Sequence, residues 1–371
     1  MKIGILTYCN SFNYGAYLQA YNLCSKLNTY ENVEAELIDY SMEQELAIYK
    51  VRIHKNILVT FEKYMKKKAF AKAKKDLGLS QYSIRTDDLE TFRKAIYGKY
   101  DLIIAGSDQI WQVDGFRGAY NAYWLPGDYG CPKISFAASG RTSFRNASDE
   151  DYDKIRKAIN EFKYVGVRDK STFSNVEGVI EDVGKVHMNL DPSFLMQYLG
   201  DKTKGRRILE KYGVNVDCPT IAVMTENKDM VHILRKKLGD GYNYIGLFHR
   251  QKKAKNILDI TPFEWVDVIS ASDFMVTSYF HGTCFSIISR TPFHTIEMRY
   301  KNSESKLLDL LSVFGLEKRF SENLKAAIQS DDFWDEIRDR NMGWGKTERL
   351  IEENDNSFDD FVSKIRDMVG K

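Results

Sequence analysis

The chain has 371 residues, a length that predicts two domains rather than a single core. With 54 Lys and Arg against 52 Asp and Glu, the net charge is only +2, which gives no reason to expect a nucleic-acid partner. No run approaches the roughly 18 apolar residues of a spanning helix and the first residues lack a secretory pattern, so we expect a soluble, cytoplasmic protein.

The segment from residue 3 to residue 40 predicts a strand, a turn, a helix and a second strand. Residues 3–8 are a short apolar run, and residues 9–15 form a turn rich in polar and small side chains. Leu18, Leu23 and Leu27 belong to one broad apolar helical face, and residues 33–40 alternate as a strand does. This order is the opening of a doubly wound sheet.

Residues 43–77 form a long basic segment of helical composition. Lysines occupy positions 66–68 in a row and positions 72, 74 and 75 beyond them. A solvated helical excursion of the first domain explains such a charge run. The alternative is an electrostatic landing site for an anionic acceptor or for a membrane surface.

Buried-looking strands recur along the rest of the chain, and polar residues follow the strands of the first half. They cover residues 101–105, 133–138 and 164–167 and, after residue 195, residues 220–224, 242–248, 274–277 and 292–297. Helical segments separate the later strands. The alternation predicts two Rossmann-like α/β domains, 1–195 and 196–330, whose parallel sheets face a central cleft. We expect a charged helical tail, 331–371, to pack back on the first domain.

The turn after the first strand is a candidate site, because ligands of open parallel sheets bind at the carboxyl ends of strands. Asn10, Asn13, Tyr14 and Gly15 offer amides and backbone N–H groups to a phosphate or a sugar hydroxyl. Alternatively, the turn only connects strand and helix and an Asn caps the helix. The chain has neither G-x-G-x-x-G nor a P-loop pattern, which counts against a dinucleotide or P-loop site.

The strand at 101–105 is followed by Ser107, Asp108, Gln109 and Trp111. Here Asp108 is placed to accept a proton from a sugar hydroxyl, and Trp111 to stack on a sugar face. The alternative is that Asp108 caps the next helix and Trp111 fills the core. Arg141, after the strand at 133–138, is a further candidate at this edge.

Arg168 and Asp169 end the strand at 164–167. An arginine at the end of an apolar strand is costly unless it is paired. Asp169 is one partner within reach in sequence, which would make the two a structural ion pair. In the other interpretation the guanidinium grips a carboxylate or phosphate.

His281 is the strongest catalytic candidate, because it stands between a strand and the first turn of a helix, after Ser278 and Tyr279. A helix N-terminus disfavours imidazolium, so His281 would act as a hydrogen-bond donor or base, or as an acid beside an anionic substrate. Gly282 would let a ligand approach closely. The alternative is a satisfied structural histidine.

Metal chemistry is not expected. The other five histidines form no ligand-spaced cluster, and the five cysteines are scattered without a C-x-x-C. Cys9 and Cys284 lie beside polar motifs, where small buried thiols are the expected role and a nucleophile is the alternative.

Five segments, in order along most of the chain, resemble motifs of the polysaccharide pyruvyl transferase family. They are residues 7–20, residues 101–111 (Asp-Leu-Ile-Ile-Ala-Gly-Ser-Asp-Gln-Ile-Trp), residues 167–171, residues 190–192 and residues 280–283 (Phe-His-Gly-Thr). The resemblance implies a glycosyltransferase-B-like fold with the acceptor on the first domain and the donor on the second.

The same resemblance implies the chemistry. A pyruvyl group of phosphoenolpyruvate, the co-substrate, would become a ketal on a sugar of a capsule or exopolysaccharide, or of its lipid-linked precursor near a membrane. Phosphate would be released and no further cofactor is implied. Carried over by motif, Arg168 and His281 are donor-site residues, and the donor-binding candidates beside His281 are Ser278, Tyr279 and Gly282. The loops at Asn13 and Asp108 line the cleft, where Ser107 and Gln109 are also acceptor-binding candidates. His281 would protonate the methylene carbon while Asp108 orients the attacking hydroxyl.

Tyr279 marks a departure from the family pattern. Many members carry Arg-Leu-His-Gly where this chain has Tyr-Phe-His-Gly at 279–282. The missing arginine would be expected to help hold the anionic donor, and Arg141, Arg290 and Arg299 are the candidate substitutes. Two other functions stay open: a nucleotide-sugar-dependent glycosyltransferase of the same fold, and a glycan-binding relative without catalysis.

Overall fold

The computed structural model describes residues 1–48, 55–140, 142–298 and 305–370. These residues form two compact units. The first contains the described residues of Met1–Val51, Lys74–Met196 and Glu352–Lys371, and the second those of Arg52–Ala73 and Gln197–Ile351. Each unit is built around its own parallel sheet.

The strands of the first sheet are short and its central ones are buried on both faces. They are β1 (Lys2–Leu6), β2 (Glu34–Ser41), β3 (Leu79–Arg85), β4 (Leu102–Ala105), β5 (Lys133–Ala138), β6 (Tyr164–Val167) and β7 (Val186–Met188). The strands of the second sheet are β8 (Thr220–Met224), β9 (Asn243–Leu247), β10 (Lys255–Ile257), β11 (Phe274–Thr277), β12 (Phe293–Ile296) and β13 (Phe320–Ser321).

Helices alternate with these strands along most of the described chain. They are α1 (Tyr14–Leu27), α2 (Glu43–Ile48), α3 (Ile57–Ala73), α4 (Leu89–Ile96), α5 (Asp149–Asn160), α6 (Lys170–Glu177), α7 (Lys202–Lys211), α8 (Met230–Leu238), α9 (Pro262–Ser270), α10 (Phe280–Ile288), α11 (Lys306–Phe314), α12 (Leu324–Gln329), α13 (Asp331–Asp339) and α14 (Gly345–Val369).

Both sheets have the strand order of a doubly wound fold. The first runs β3-β2-β1-β4-β5-β6-β7 and the second β10-β9-β8-β11-β12-β13, with every pair parallel. The strand order therefore reverses between β1 and β4 in the first unit and between β8 and β11 in the second. In such sheets the crevice at this reversal binds the ligand. The prediction of two Rossmann-like domains with parallel sheets is confirmed.

The cores explain why the central strands read as continuous apolar runs. Ile3, Ile5 and Ile104 in the first sheet and Val223 and Val276 in the second are completely buried. A strand covered by helices on both faces has no solvent-facing side, so polar and apolar residues do not alternate along it. A continuous apolar run is therefore the sequence signal of a parallel sheet.

Two segments are placed differently from the prediction. Helix α3, expected in the first domain, belongs to the second unit. Helix α13, expected to lie on the first domain, instead buries Phe333, Trp334 and Ile337 in the core of the second unit. Of the predicted tail, only the part from residue 352 belongs to the first unit, where Phe358 and Phe361 contact Phe136. The apolar face of α13 decides this, since it has to be covered.

Within the described ranges, no helix has both the length and the apolar character required to cross a membrane.

Candidate functional site

The turn between β1 and α1 lies at the strand-order reversal of the first sheet. Asn13 caps α1, because its side-chain oxygen accepts hydrogen bonds from the N–H groups of Gly15 at 3.0 Å and Ala16 at 3.4 Å. Tyr14 is completely buried. The structure therefore contradicts the acceptor-contact role predicted for Tyr14, and it shows Asn13 in the capping role.

Asn10 belongs to a charged network at the end of β2. Its amide donates to Asp39 Oδ1 at 2.8 Å, and its oxygen accepts from Lys74 Nζ at 2.8 Å. Arg85 Nη2 donates to the same carboxylate at 2.6 Å. Burial alone would raise the pKa of Asp39, but hydrogen bonds from Ser83, Asn10 and Arg85 outweigh it and lower that pKa. The network fixes Asn10 with its partly exposed side chain at the carboxyl edge.

A polar pocket beside Asn10 is lined by Tyr8, Cys9, Asn10, Ser11, Tyr40, Glu45, Arg117 and Tyr123. Arg117 pairs with Glu45, and its guanidinium carbon lies 3.9 Å from the centroid of the Tyr8 ring. The cavity volume is about 10 Å³, which has room for about one water molecule and not for a sugar. Burial raises the pKa of the Cys9 thiol to about 12, which removes it as a nucleophile at neutral pH.

Sequence reasoning missed Glu45 and Arg117. They are 72 residues apart, and no local pattern joins them.

Ser107 and Trp111 are turned into the protein rather than toward a ligand. The completely buried Ser107 hydroxyl donates to the side-chain oxygen of Gln19, and Trp111 stacks on Trp124 with centroids 5.3 Å apart and planes at 3°. The Trp111 indole N–H donates to the carbonyl of Tyr123 at 3.3 Å. The prediction that Trp111 stacks on a sugar was wrong for this reason, and the core-filling alternative holds.

Asp108, Arg168 and Asp191 form a buried charge network at the ends of β4, β6 and β7. Arg168 Nη1 donates to Asp191 Oδ2 at 2.6 Å, and its Nη2 lies 3.8 Å from Asp108 Oδ1. Burial works to lower the pKa of Arg168, but the carboxylates of Asp191, Asp108 and Asp169 raise it overall.

Asp169, the partner expected from its position in sequence, has a capping role. It caps α6 by accepting from the N–H of Thr172 at 2.9 Å, and Ser139 Oγ donates to it at 2.7 Å. The hydrogen-bonded ion pair of Arg168 is with Asp191, from a segment 23 residues further along. The structure therefore does not favour the predicted donor-gripping role of Arg168, because its charge is already compensated inside the unit.

Asp108 remains the reactive candidate of the first unit. Its backbone has φ of 74°, a left-handed conformation that turns the chain sharply after β4. The side chain is 15% exposed, and its carboxylate accepts from the N–H of Gln109 at 2.8 Å. The Gln109 carbonyl in turn accepts from the Tyr8 hydroxyl at 2.9 Å. Arg141, predicted at the same edge, lies outside the described residues.

In the second unit, Tyr279 stands at the strand-order reversal as the residue that precedes α10. Its hydroxyl donates to Glu226 Oε1 at 3.1 Å and lies 2.5 Å from His249 Nε2. Glu226 follows β8 and His249 follows β9, so three strand ends meet here. Ser278 is held by its N–H, which donates to the carbonyl of Met224 at 3.0 Å.

His281 lies in the first turn of α10 and is mostly buried, with 9% of its surface exposed. The neighbouring Gly282 has a packing role, because a Cβ there would lie 2.2 Å from Thr277 Oγ1. Gly282 is therefore required by the close approach of α10 to β11. The predicted reason, access for a ligand, is not what the structure shows.

Helix α3 brings basic side chains to the end of β9. Lys66 Nζ lies 4.2 Å from the centroid of the Phe248 ring, and Glu62 pairs with Arg250. Burial lowers the pKa of Lys66 to about 8. The rule of polar residues after strands would have found His249, since a strand was predicted just before it. No sequence signal connects Lys66 with Phe248.

In the described part of the chain, no group of three or more His, Cys, Asp or Glu side chains is placed to hold a metal ion.

Comparison with known families identifies the chain. The family model described as polysaccharide pyruvyl transferase matches residues 13–299, which include Asp108, Arg168, Tyr279 and His281. The chain belongs to the polysaccharide pyruvyl transferase family. Membership supports a transferase of polysaccharide biosynthesis. A comparison with curated protein sequences found no match.

Solved structures of nucleotide-sugar enzymes resemble this protein in fold. The UDP-GlcNAc 2-epimerase from Methanocaldococcus jannaschii has a TM-score of 0.53 and 11% identity, covering 95% of this chain and 99% of its own. Anabaena HepE, solved with UDP and glucose, has a TM-score of 0.51 and 10% identity, covering 98% and 100%. At such identity the likeness concerns the fold alone, and it confirms the glycosyltransferase-B-like architecture.

Proposed function

We propose that this pyruvyl transferase family member takes pyruvyl from phosphoenolpyruvate and forms a ketal on a sugar of a cell-surface polysaccharide or its precursor. The observation that carries the proposal is the position of His281. It lies in the first turn of α10 at the strand-order reversal of the second sheet, inside the segment that matches the family. Helix N-termini at this point of a doubly wound sheet favour anionic ligands.

The donor carries a carboxylate and a phosphate on the same carbon, so its site needs positive or hydrogen-bonding groups. The edge of the second unit supplies the N-terminus of α10, the Tyr279 hydroxyl, His249 and the ammonium group of Lys66. Lys66 and the Tyr279 ring both contact the Phe248 ring. The Lys66 nitrogen lies 4.2 Å from the centroid of the Phe248 ring, and the centroid of the Tyr279 ring lies 5.3 Å from it. We assign Lys66 the charge that the family's arginine would supply at position 279.

The reaction balances with two proton acceptors and one proton donor. His281 gives a proton to the methylene carbon, and the electrons of the C=C bond form the new C–H bond. A sugar hydroxyl attacks the cationic C2 and loses its proton. The C–O bond to phosphate then breaks, phosphate leaves with the bonding electrons, and a second hydroxyl of the sugar closes the ketal and loses its proton.

The acceptor is a neutral polyol, and the first unit offers the matching chemistry. We assign Asp108 as the base that takes a hydroxyl proton, with Arg168 and Asp191 as the groups that position it.

The test is release of inorganic phosphate from phosphoenolpyruvate in the presence of purified polysaccharide and lipid-linked glycan fractions, with the product examined for the ketal methyl signal by NMR. We expect phosphate and ketal to appear in equal amounts, and His281→Ala to reduce the rate of both by about 100-fold or more. Binding of UDP together with sugar transfer from a UDP-sugar, without phosphate release from phosphoenolpyruvate, would identify a nucleotide-sugar enzyme instead. Binding of glycan without either reaction would identify a glycan-binding relative.

A further inference from the structure

The first two turns of α3 expose an unusual amount of apolar surface. Among the large hydrophobic side chains of the described residues, the four most exposed all lie here: Ile57 at 78%, Leu58 at 64%, Phe61 at 59% and Tyr64 at 57%. Single exposed hydrophobic residues are ordinary, but a contiguous group on one helix marks an interaction surface.

The spacing places these side chains on one side of the helix. Ile57, Phe61 and Tyr64 stand at i, i+4 and i+7, and Leu58 adjoins Phe61 at i+3. The same stripe continues toward the end of the helix as the exposed lysines Lys68 and Lys72, four and eight residues after Tyr64. The stripe, residues 57, 58, 61, 64, 68 and 72, is thus apolar in its first half and basic in its second.

The opposite side of α3 fastens the helix to its own unit. Glu62 pairs with Arg250, Lys66 lies over the Phe248 ring, and Phe70 and Ala73 are buried. The exposure of the stripe therefore belongs to a helix that is held in place by its other face.

Positive charge is concentrated on this helix. Five lysines less one glutamate give α3 a charge of +4, whereas the whole chain has +2, so everything outside the helix sums to −2. A second copy of the chain is a poor partner for the stripe, because its own α3 would bring the same charge of +4 and repel it. Nucleic acid would bind the lysines, but it would leave Ile57 and Leu58 without an apolar partner. Apolar side chains combined with lysines match the acyl boundary and the anionic headgroups of a lipid bilayer.

We propose that α3 docks the protein on the surface of an anionic lipid bilayer. The apolar half of the stripe enters the headgroup boundary, while Lys68 and Lys72, with the exposed Lys63 and Lys67, pair with headgroup phosphates. Docking stands independently of ketal chemistry. Its use, access to a lipid-linked acceptor, rests on the proposed function.

Co-sedimentation with vesicles tests the docking. Vesicles of phosphatidylcholine containing phosphatidylglycerol should bind the protein at least about tenfold more strongly than phosphatidylcholine alone, with the excess declining as salt is raised. Phe61→Ser with Tyr64→Ser should reduce partitioning about tenfold or more, because it removes the inserted surface. Lys68→Gln with Lys72→Gln should reduce it about fivefold per charge on anionic vesicles.

Matched controls separate docking from general effects. Tyr97→Ser removes an exposed aromatic elsewhere, and Lys157→Gln with Lys163→Gln removes two exposed lysines elsewhere. Both control proteins should bind vesicles like the wild type. In a Tyr64→Trp protein, vesicles should shift the fluorescence emission of the new indole to shorter wavelength.

Absence of sedimentation with anionic vesicles would overturn the proposal, and so would equal loss in the control proteins. A dimer in sedimentation equilibrium that Phe61→Ser with Tyr64→Ser dissociates would assign the stripe to a second copy instead. All of these substitutions lie on exposed side chains, so the circular dichroism and the thermal midpoint of each variant protein should match those of the wild type.

Discussion

The two units have the same strand order up to the sixth strand, yet their strand-order reversals carry different side chains. In the first unit the carboxylates are paired with cations of the same unit: Asp39 is bound by Arg85 and Lys74, and Asp108 and Asp191 share Arg168. In the second unit the edge presents His249, Tyr279, His281 and the N-terminus of α10, with Lys66 beside them. The same topology therefore places a different set of polar side chains at each reversal.

The largest expected effect is on stability, and it tests whether the first edge is held by its internal charges. Asp191→Ala leaves the buried Arg168 without its closest partner and should lower the free energy of unfolding of the first unit by about 3–5 kcal/mol. Urea denaturation measures this. Asp240→Ala, which breaks the exposed pair with Arg235, is the matched control and should cost about 1 kcal/mol or less. Equal costs would show that the network is not structural.

The next effect is on catalysis in the second unit. His281→Ala should reduce phosphate release by about 100-fold or more if His281 is the general acid, whereas His249→Gln, which removes a neighbour of Tyr279, should act mainly on donor binding. Steady-state kinetics separates the two through kcat and KM. A His281→Ala protein within a few-fold of wild type would reject the acid role.

A smaller effect is expected at the joint between α10 and β11. Gly282→Ala places a Cβ 2.2 Å from Thr277 Oγ1, so it should lower the free energy of unfolding by about 1–3 kcal/mol. Gly282→Ala with Thr277→Ala removes the contacting hydroxyl and should recover part of that loss. If the double change is no more stable than the single one, the contact with Thr277 is not the reason for the glycine.

The smallest expected effect is a pH dependence of donor binding. Lys66 is charged below its pKa of about 8, and an anion binds best to the charged form. Above pH 8 binding has to take up a proton, so the affinity for phosphoenolpyruvate should fall by up to about tenfold per pH unit until the pKa of the complex is passed. Isothermal titration between pH 7 and 9 measures the fall, and Lys66→Gln should show a flat profile. A wild-type profile that is equally flat would exclude Lys66 from the site.

The rule that ligands of parallel sheets bind at the carboxyl ends of strands predicted the site residues that follow a strand closely in sequence. Apolar runs located the strands, and Asp108, Tyr279 and His281 follow β4 and β11 directly. The same rule does not give the direction of a side chain. It therefore misplaced Trp111, which is buried in the core and stacks on Trp124.

Local sequence patterns could not predict ion pairs between residues that are far apart in the sequence. Asp191 lies 23 residues after Arg168, Arg117 lies 72 after Glu45, and Arg250 lies 188 after Glu62. Helix α3 was predicted to be a solvated excursion because its many lysines hide the signal of the face that buries Phe70 and Ala73. Its assignment to the second unit depends on those long-range contacts alone.

The most direct test of the difference between the two edges is titration of phosphoenolpyruvate into the wild type, Lys66→Gln and Arg168→Lys proteins at pH 7. Lys66→Gln should weaken binding about tenfold or more, because it removes a charge at the donor edge. Arg168→Lys should bind like the wild type, because that charge is compensated by Asp191 and Asp108. Loss of binding in Arg168→Lys with full binding in Lys66→Gln would contradict the account and place the donor on the first unit.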